Sequence, residues 1–199
     1  MGAEQMHVRK DVQRNLERVL RAAHELFAER GSDVTMEEVA RRAGVGVGTV
    51  YRRFPSKEHL FIAVSQAACA ETHRCLEQAA EAEADPISKL KVLVHVHYER
   101  TEQRAPLIDF SPESPSSETC GVGREQHFYS TLHQLLRQVI ADGQREGVMA
   151  AGDPDVLAAV CLELLHPRAL QNLMRVTGGN ADEVATVVWR FIRRALAAH

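Results

Sequence analysis

The stretch "AGVGVGTVYRRF", residues 43–54, sets three glycines, Gly44, Gly46 and Gly48, into sequence that otherwise reads as helix. Ahead of it, Met36, Val39, Ala40 and Ala43 form one apolar face at helical spacing. Thr35 stands three residues before Glu38, the reciprocal capping pattern that satisfies the first N–H groups of a helix. Behind the glycines a second short helix is expected over 47–54. Pro55 stops it, because the residue before a proline avoids the α region. Glycines between helices make either a phosphate cradle or a tight turn. A dinucleotide loop wants G-x-G-x-x-G after a β-strand; here the spacing is G-x-G-x-G after a helix, and no P-loop lysine follows. That leaves a helix-turn-helix. Gly44 is expected to end the first helix in the left-handed conformation and Gly46 to make the sharp turn. Gly48 and Thr49 then open the helix whose first residues enter a major groove in such motifs.

The rest of the chain is also helical by pattern. Leu16, Val19, Leu20, Ala23, Leu26 and Phe27 mark an amphipathic helix that Gly31 ends, after ten polar residues expected to be irregular. Ser56 caps a long helix over 57–84. Further helices are expected over 87–103 and 125–146, then from Pro154 behind Asp153, and after "GGN". The Val-His-Val-His run inside 87–103 looks locally strand-like but is too short to outweigh its helical surroundings. Residues 105–123, rich in proline and serine, read as a loop. The expectation is an all-α chain of about nine helices: a three-helix helix-turn-helix domain over 1–56 and a larger helical domain over 57–199.

Net charge is −3, yet residues 1–60 hold 11 Lys+Arg against 9 Asp+Glu, so the rest is the acidic part. Arg41, Arg42, Arg52, Arg53 and Lys57, with Tyr51 among them, bracket the turn as a basic patch, the electrostatic footprint of a nucleic-acid partner.

Residues 19–64 resemble the N-terminal DNA-binding domain of the tetracycline-repressor (TetR) family of bacterial transcription regulators. "RAAHELFAERG" and "TMEEVARRAGVGVGTVYRRFPSKEHL" carry the resemblance. It implies a DNA-binding, ligand-responsive repressor, cytoplasmic and not an enzyme, acting as a homodimer on a near-palindromic operator. It also implies that Val47, Gly48, Thr49, Tyr51 and Arg52 face the groove, with Thr49 and Tyr51 on phosphate and Lys57 on the backbone. Thr35 and Arg53 complete the DNA-contacting set. Val47 departs from the family, which often has a polar side chain there; its contact would be apolar, to a thymine methyl. Val39, Ala40, Val50 and Phe54 hold the three helices together.

Ten histidines and the cysteines Cys69, Cys75, Cys120 and Cys161 invite a metal or redox reading. No C-x-x-C pair occurs, and pairs such as Cys69 with His73 are too sparse for a soft-metal site. Glu163 and His166 make one E-x-x-H where a di-iron bundle needs two. Neither G-x-S-x-G nor H-E-x-x-H appears. No cofactor, metal or catalytic residue is expected, nor a membrane span, since no apolar run nears ~18 residues. The polar N-terminus offers no signal peptide, so the thiols are expected to be reduced in the cytoplasm. The competing reading, a helical-bundle metal sensor or enzyme with a helix-turn-helix-like head, would have no need of a basic, groove-facing helix.

In the resembled family the body helices surround an inducer cavity. Tyr98, Phe110, Phe128 and Leu132 are expected to line it around a small, mostly apolar effector. His95, His97, His127, His133, Glu99 and Arg100 supply polar groups for orientation, and the 105–123 loop the entrance. The last helices carry more apolar surface than one body needs: Val156, Val160, Leu164 and Leu165, then Val184, Val188, Phe191 and Ile192. Val160, Leu164, Val184, Val188, Phe191 and Ile192 are therefore expected in a four-helix dimer interface. Pro167 should kink or break the first of these helices.

Overall fold

A computed structural model describes residues 2–108 and 122–198, with side chains over 12–31, 33–105 and 129–198. The described chain is all-α. Its helices are α1 Gly2–Arg30, α2 Met36–Ala43, α3 Val47–Arg53, α4 Lys57–Glu81, α5 Pro86–Ile108, α6 Val122–Arg145, α7 Pro154–Leu164, α8 Pro167–Thr177 and α9 Ala181–Ala195. A 3-10 turn, Gly31–Asp33, joins α1 to α2. Among the described residues no strand forms; Met149 and Ala197 make an isolated antiparallel bridge. The polar first ten residues, expected to be irregular, are helical from Gly2. Their Glu, Gln, Lys and Arg are good helix formers, and no breaker separates them from the amphipathic stretch. α5 runs on to Ile108 and α6 starts at Val122, so both ends of the expected 105–123 loop are helical, and 109–121 lie outside the described residues.

The described chain divides into two compact units, one reaching Ala68 and including the end of α5 from Arg104, the other comprising Cys69–Gln103 and the chain from Val122. The head is built around Val19, Ala23, Leu26 and Phe27 of α1, Met36, Val39 and Ala40 of α2, and Val50 and Phe54 beside α3. Leu60, Phe61 and Val64 of α4 belong to the same core. Phe61 stands edge-on to Phe27, with centroids 5.5 Å apart. The first two turns of α4, beyond residue 56, thus carry apolar residues that pack with α1 in the head core.

The second unit packs Leu76 of α4, Leu90, Leu93, Val94 and Tyr98 of α5, and Leu132, Leu136 and Ile140 of α6 against Ala158 and Cys161 of α7. Val184, Val188, Trp189 and Ile192 of α9 complete it. The Val-His-Val-His run is helical, as periodicity over the longer window predicts.

Pro167 breaks the helix rather than kinking it. α7 ends at Leu164, and α8 begins with Pro167 at N1 behind His166, whose Nδ1 accepts from the Arg168 N–H at 3.2 Å. Proline has no N–H for the helix to use, so the last carbonyls of α7 need other donors. Helix α5 supplies them. The Tyr98 hydroxyl donates to the Leu164 carbonyl at 2.5 Å, and His97 Nε2 donates to the Leu165 carbonyl at 2.8 Å.

Candidate nucleic-acid interface

Helix α2 begins as its sequence predicts. The Thr35 hydroxyl accepts from the Glu38 N–H at 3.2 Å, and the Glu38 carboxylate accepts from the Thr35 N–H at 2.9 Å. Arg30 donates to the same carboxylate at 2.7 Å. Arg30 first, then the Thr35 N–H, hold the Glu38 carboxyl down at about 2. The helix ends on Gly44 at φ 64° and ψ 41°, the left-handed region. The Val45 N–H donates back to the Ala40 carbonyl at 3.0 Å, and the Arg18 guanidinium of α1 donates to the Gly44 carbonyl at 3.2 Å. A Cβ added at Gly44 would stand 2.5 Å from that guanidinium, a flexible end that can shift, so the left-handed backbone is what favours glycine.

Gly46 is a correction. It sits at φ −67° and ψ 139°, an ordinary extended N-cap conformation open to any residue. A Cβ there would meet only the Thr49 hydroxyl, at 3.9 Å. The left-handed turn belongs to Gly44.

Helix α3 buries one face and shows the other. Val50, and Phe54 just beyond, turn into the head core. Val47 is 40% exposed and Tyr51 44% exposed, and Gly48 and Arg52 are exposed with them. Those four positions are i, i+1, i+4 and i+5, one outward stripe. At Gly48 an added Cβ would meet nothing within 4 Å. Thr49 is half-buried, and its hydroxyl accepts from Arg52 Nη2 at 3.3 Å. The Tyr51 hydroxyl leaves the stripe for α2, donating to Glu37 Oε1 at 3.4 Å. Partial desolvation first, and the Glu37 charge second, raise that hydroxyl above its ordinary value. It is therefore a neutral donor at physiological pH. Arg53 is exposed at the end of α3, Lys57 half-buried at the start of α4, and Thr35 exposed at the α2 cap.

The basic patch is smaller than its sequence suggests. Arg42 turns to α1, where its guanidinium meets Glu29 at 3.1 Å and Glu25 at 3.3 Å. Arg41, Arg52, Arg53 and Lys57 remain. Sequence reasoning also missed Glu37: its link to Tyr51 joins residues fourteen positions apart, and no local pattern announces it.

In the second unit Tyr98 and Leu132 are fully buried in the core. Phe110 and the side chain of Phe128 lie outside the described residues. Of the polar set, His97 is buried on the Leu165 carbonyl, His95 Nδ1 meets Asp182 at 3.2 Å, and His133 Nε2 donates to the Asp155 carbonyl at 3.0 Å. Their bonds tie helices together. Burial pushes the Cys161 thiol up to about 11, which keeps it protonated. Among the described residues no three of His, Cys, Asp and Glu gather as a metal site, and no helix is long and apolar enough to cross a membrane.

The residues expected at a dimer interface separate into two groups. Val184, Val188 and Ile192 are buried within the protomer, and Leu164 is half-buried. Val160 and Phe191 are exposed, at 56% and 61%, together with Val156 and Val187. The outward faces of α7 and α9 thus carry apolar residues too, on α9 among exposed arginines.

The model of the bacterial regulatory proteins of the tetR family matches residues 19–64, which span α2, α3 and the helix segments that pack on them. An HTH-type transcriptional regulator of Staphylococcus aureus (strain USA300) is 40% identical over 60 residues, covering 30% of this chain and 32% of that protein. The matched segment is thus about a third of the relative's length. Among solved structures, a transcriptional regulator from Cytophaga hutchinsonii has a TM-score of 0.75 at 19% identity, covering 92% of this chain and 98% of its own. Native NalD, the secondary repressor of the MexAB-OprM multidrug efflux pump in Pseudomonas aeruginosa, has a TM-score of 0.65 at 22% identity, covering 94% and 98%. At such identities the likeness establishes the fold. Residues 19–64 thus match the tetR family of bacterial regulatory proteins, and over nearly the whole length the chain shares the fold of these solved structures.

Proposed function

We propose that this chain is a DNA-binding transcriptional regulator, a homodimeric repressor that a small, mostly apolar effector releases from a near-palindromic operator. The observation that carries the reading is the outward stripe of α3. Val47 and Tyr51 stand exposed beside Arg52, and Gly48 leaves a bare patch of backbone between them. A glycine with open space in front of it inside a helix suits the close approach of another molecule's backbone. Arg53, the last residue of α3, and Lys57, the first of α4, would meet phosphates beside the stripe. NalD, of the same fold, is a repressor. The effector would bind in the second unit, whose helices offer apolar lining from residues such as Tyr98 and Leu132. Helix α4 contributes Leu60, Phe61 and Val64 to the head core and Leu76 and Ala80 to the other. A ligand that favours one setting of α4 therefore biases the head, and a coupling of ~1–3 kcal/mol is enough for a 5- to 150-fold change in DNA affinity.

Duplex binding measured by fluorescence anisotropy across a salt series tests the reading. The probe is a duplex enriched by the wild-type protein from a random-sequence pool. Arg53→Ala and Lys57→Ala should each weaken binding to all sequences and flatten the salt slope by about one unit, as expected when one phosphate is no longer neutralised. Wild-type slopes and affinities in both variants would place the DNA face elsewhere.

A further inference from the structure

We propose that α7 is a lever, pivoted on α6 at its first turn and latched on α5 at its last. His97 and Tyr98, the latch, are then positioning residues for the surface where a second copy docks. The inference rests on the homodimer reading and adds what sets that surface.

The latch follows from where the backbone donors go. In an unbroken helix the Arg168 N–H would reach the Leu164 carbonyl, and the Ala169 N–H the Leu165 carbonyl. Here both turn to His166, the first to its Nδ1 at 3.2 Å and the second to its carbonyl at 2.8 Å. The two carbonyls left over are the two that Tyr98 and His97 take, at 2.5 and 2.8 Å. Both side chains are fully buried, and burial raises the Tyr98 phenol well above its ordinary value, so it keeps its proton to donate. Consecutive residues of a helix point about 100° apart, so few settings of α5 present both donors to consecutive carbonyls. Hydrogen bonds weaken steeply as the donor turns away, so a small shift of α5 loses both.

The pivot lies at the other end. His133 and Arg137 of α6 hold Asp155, one at its carbonyl, 3.0 Å away, and the other at its carboxylate, 2.9 Å away. Between the two ends, the residues that α7 buries fully are small, Ala158 and Cys161. A helix held at its ends by two different helices tilts when either of them moves. What tilts with it is the outward face, Val156 and Val160 with Ala159 and Glu163. On α9, Phe191 stands exposed among Arg190, Arg193 and Arg194. An acidic apolar face on one helix and a basic apolar face on another suit a second copy of this chain, placed by a two-fold axis. A molecule that shifts α5 is thereby read at the dimer face.

Sedimentation of the full-length protein across a dilution series tests the latch. Tyr98→Phe removes one donor with little change of shape, His97→Leu removes the other, and His97→Gln keeps a donor. Leu76→Ala, at a fully buried position of α4, controls for lost stability alone. Tyr98→Phe and His97→Leu should each raise the dimer dissociation constant about fivefold or more, the lower end of ordinary coupling between sites, with Leu76→Ala within about twofold of wild type. His97→Gln should lie closer to wild type than His97→Leu. Urea unfolding confirms that each variant folds, and a His97→Leu chain that does not fold leaves Tyr98→Phe to decide. Latch variants that fold and dimerise as wild type does overturn the inference while the homodimer stands. So does a Leu76→Ala protein whose dimer weakens as much as theirs. A wild-type protein that stays monomeric at every concentration overturns the homodimer reading itself.

Discussion

A glycine inside a helix costs about 0.5–1 kcal/mol relative to alanine, and nothing within the protein asks for one at Gly48. Its backbone is helical, and an added Cβ would meet open space. Gly48→Ala should therefore raise stability by roughly 0.5–1 kcal/mol in urea unfolding, while weakening duplex binding in anisotropy. A variant that is stabilised and binds as wild type would remove the close approach from the reading. Glu38 makes the opposite point, since its role is internal. Its carboxyl is held at about 2 against an ordinary 4.5, so ionised Glu38 stabilises the fold at every pH above 4.5. That contribution fades as pH falls from 4.5 toward 2. The urea midpoints of wild type and Glu38→Gln should differ by a constant amount near neutral pH, converge across that window and coincide below it. A difference that persists at the acid end would mean that Glu38 acts through something other than its charge.

The elements of the head were legible because their signals are local. Thr35 and Glu38 are three residues apart, Gly44 ends one helix and Pro55 the next, and each does in the structure what its chemistry requires. What sequence could not show lies between elements. Arg42 pairs with residues thirteen and seventeen positions away, so its departure from the basic patch depends on how α2 packs on α1. The break at Pro167 was legible, but the donors that complete it were not: His97 and Tyr98 lie more than sixty residues upstream. Tyr98→Phe should cost about 1 kcal/mol, the usual net worth of a hydrogen bond, with the Leu164 carbonyl deprived of its donor. Leu132→Ala, at a fully buried position, should cost ~2–5 kcal/mol. Equilibrium urea unfolding gives both values. Their order matters: a Tyr98→Phe loss as large as that of Leu132→Ala would show that the cap holds more than one carbonyl in place.

At the scale of the molecule, α7 and α9 carry apolar residues on two faces, which is why periodicity alone could not separate core from interface. Val184, Val188 and Ile192 serve the protomer, and Val156, Val160, Val187 and Phe191 are left outside. That outer face is the proposed dimer contact. Phe191→Glu should give a folded monomer in sedimentation, with an unfolding midpoint close to that of wild type when protein is dilute. Val188→Glu should unfold the chain instead, since it buries an unpaired charge. A Phe191→Glu protein that remains dimeric would move the interface off this face. Two heads held by such a dimer must meet the duplex one helical turn apart, about 34–36 Å, or at a multiple of it. Hydroxyl-radical footprinting of the full-length protein on its enriched duplex tests that arrangement most directly. Two protected blocks related by a two-fold axis, with centres separated by about 10–10.5 base pairs or a whole multiple, are the predicted result. A single block, or protection spread evenly along the duplex, would contradict it.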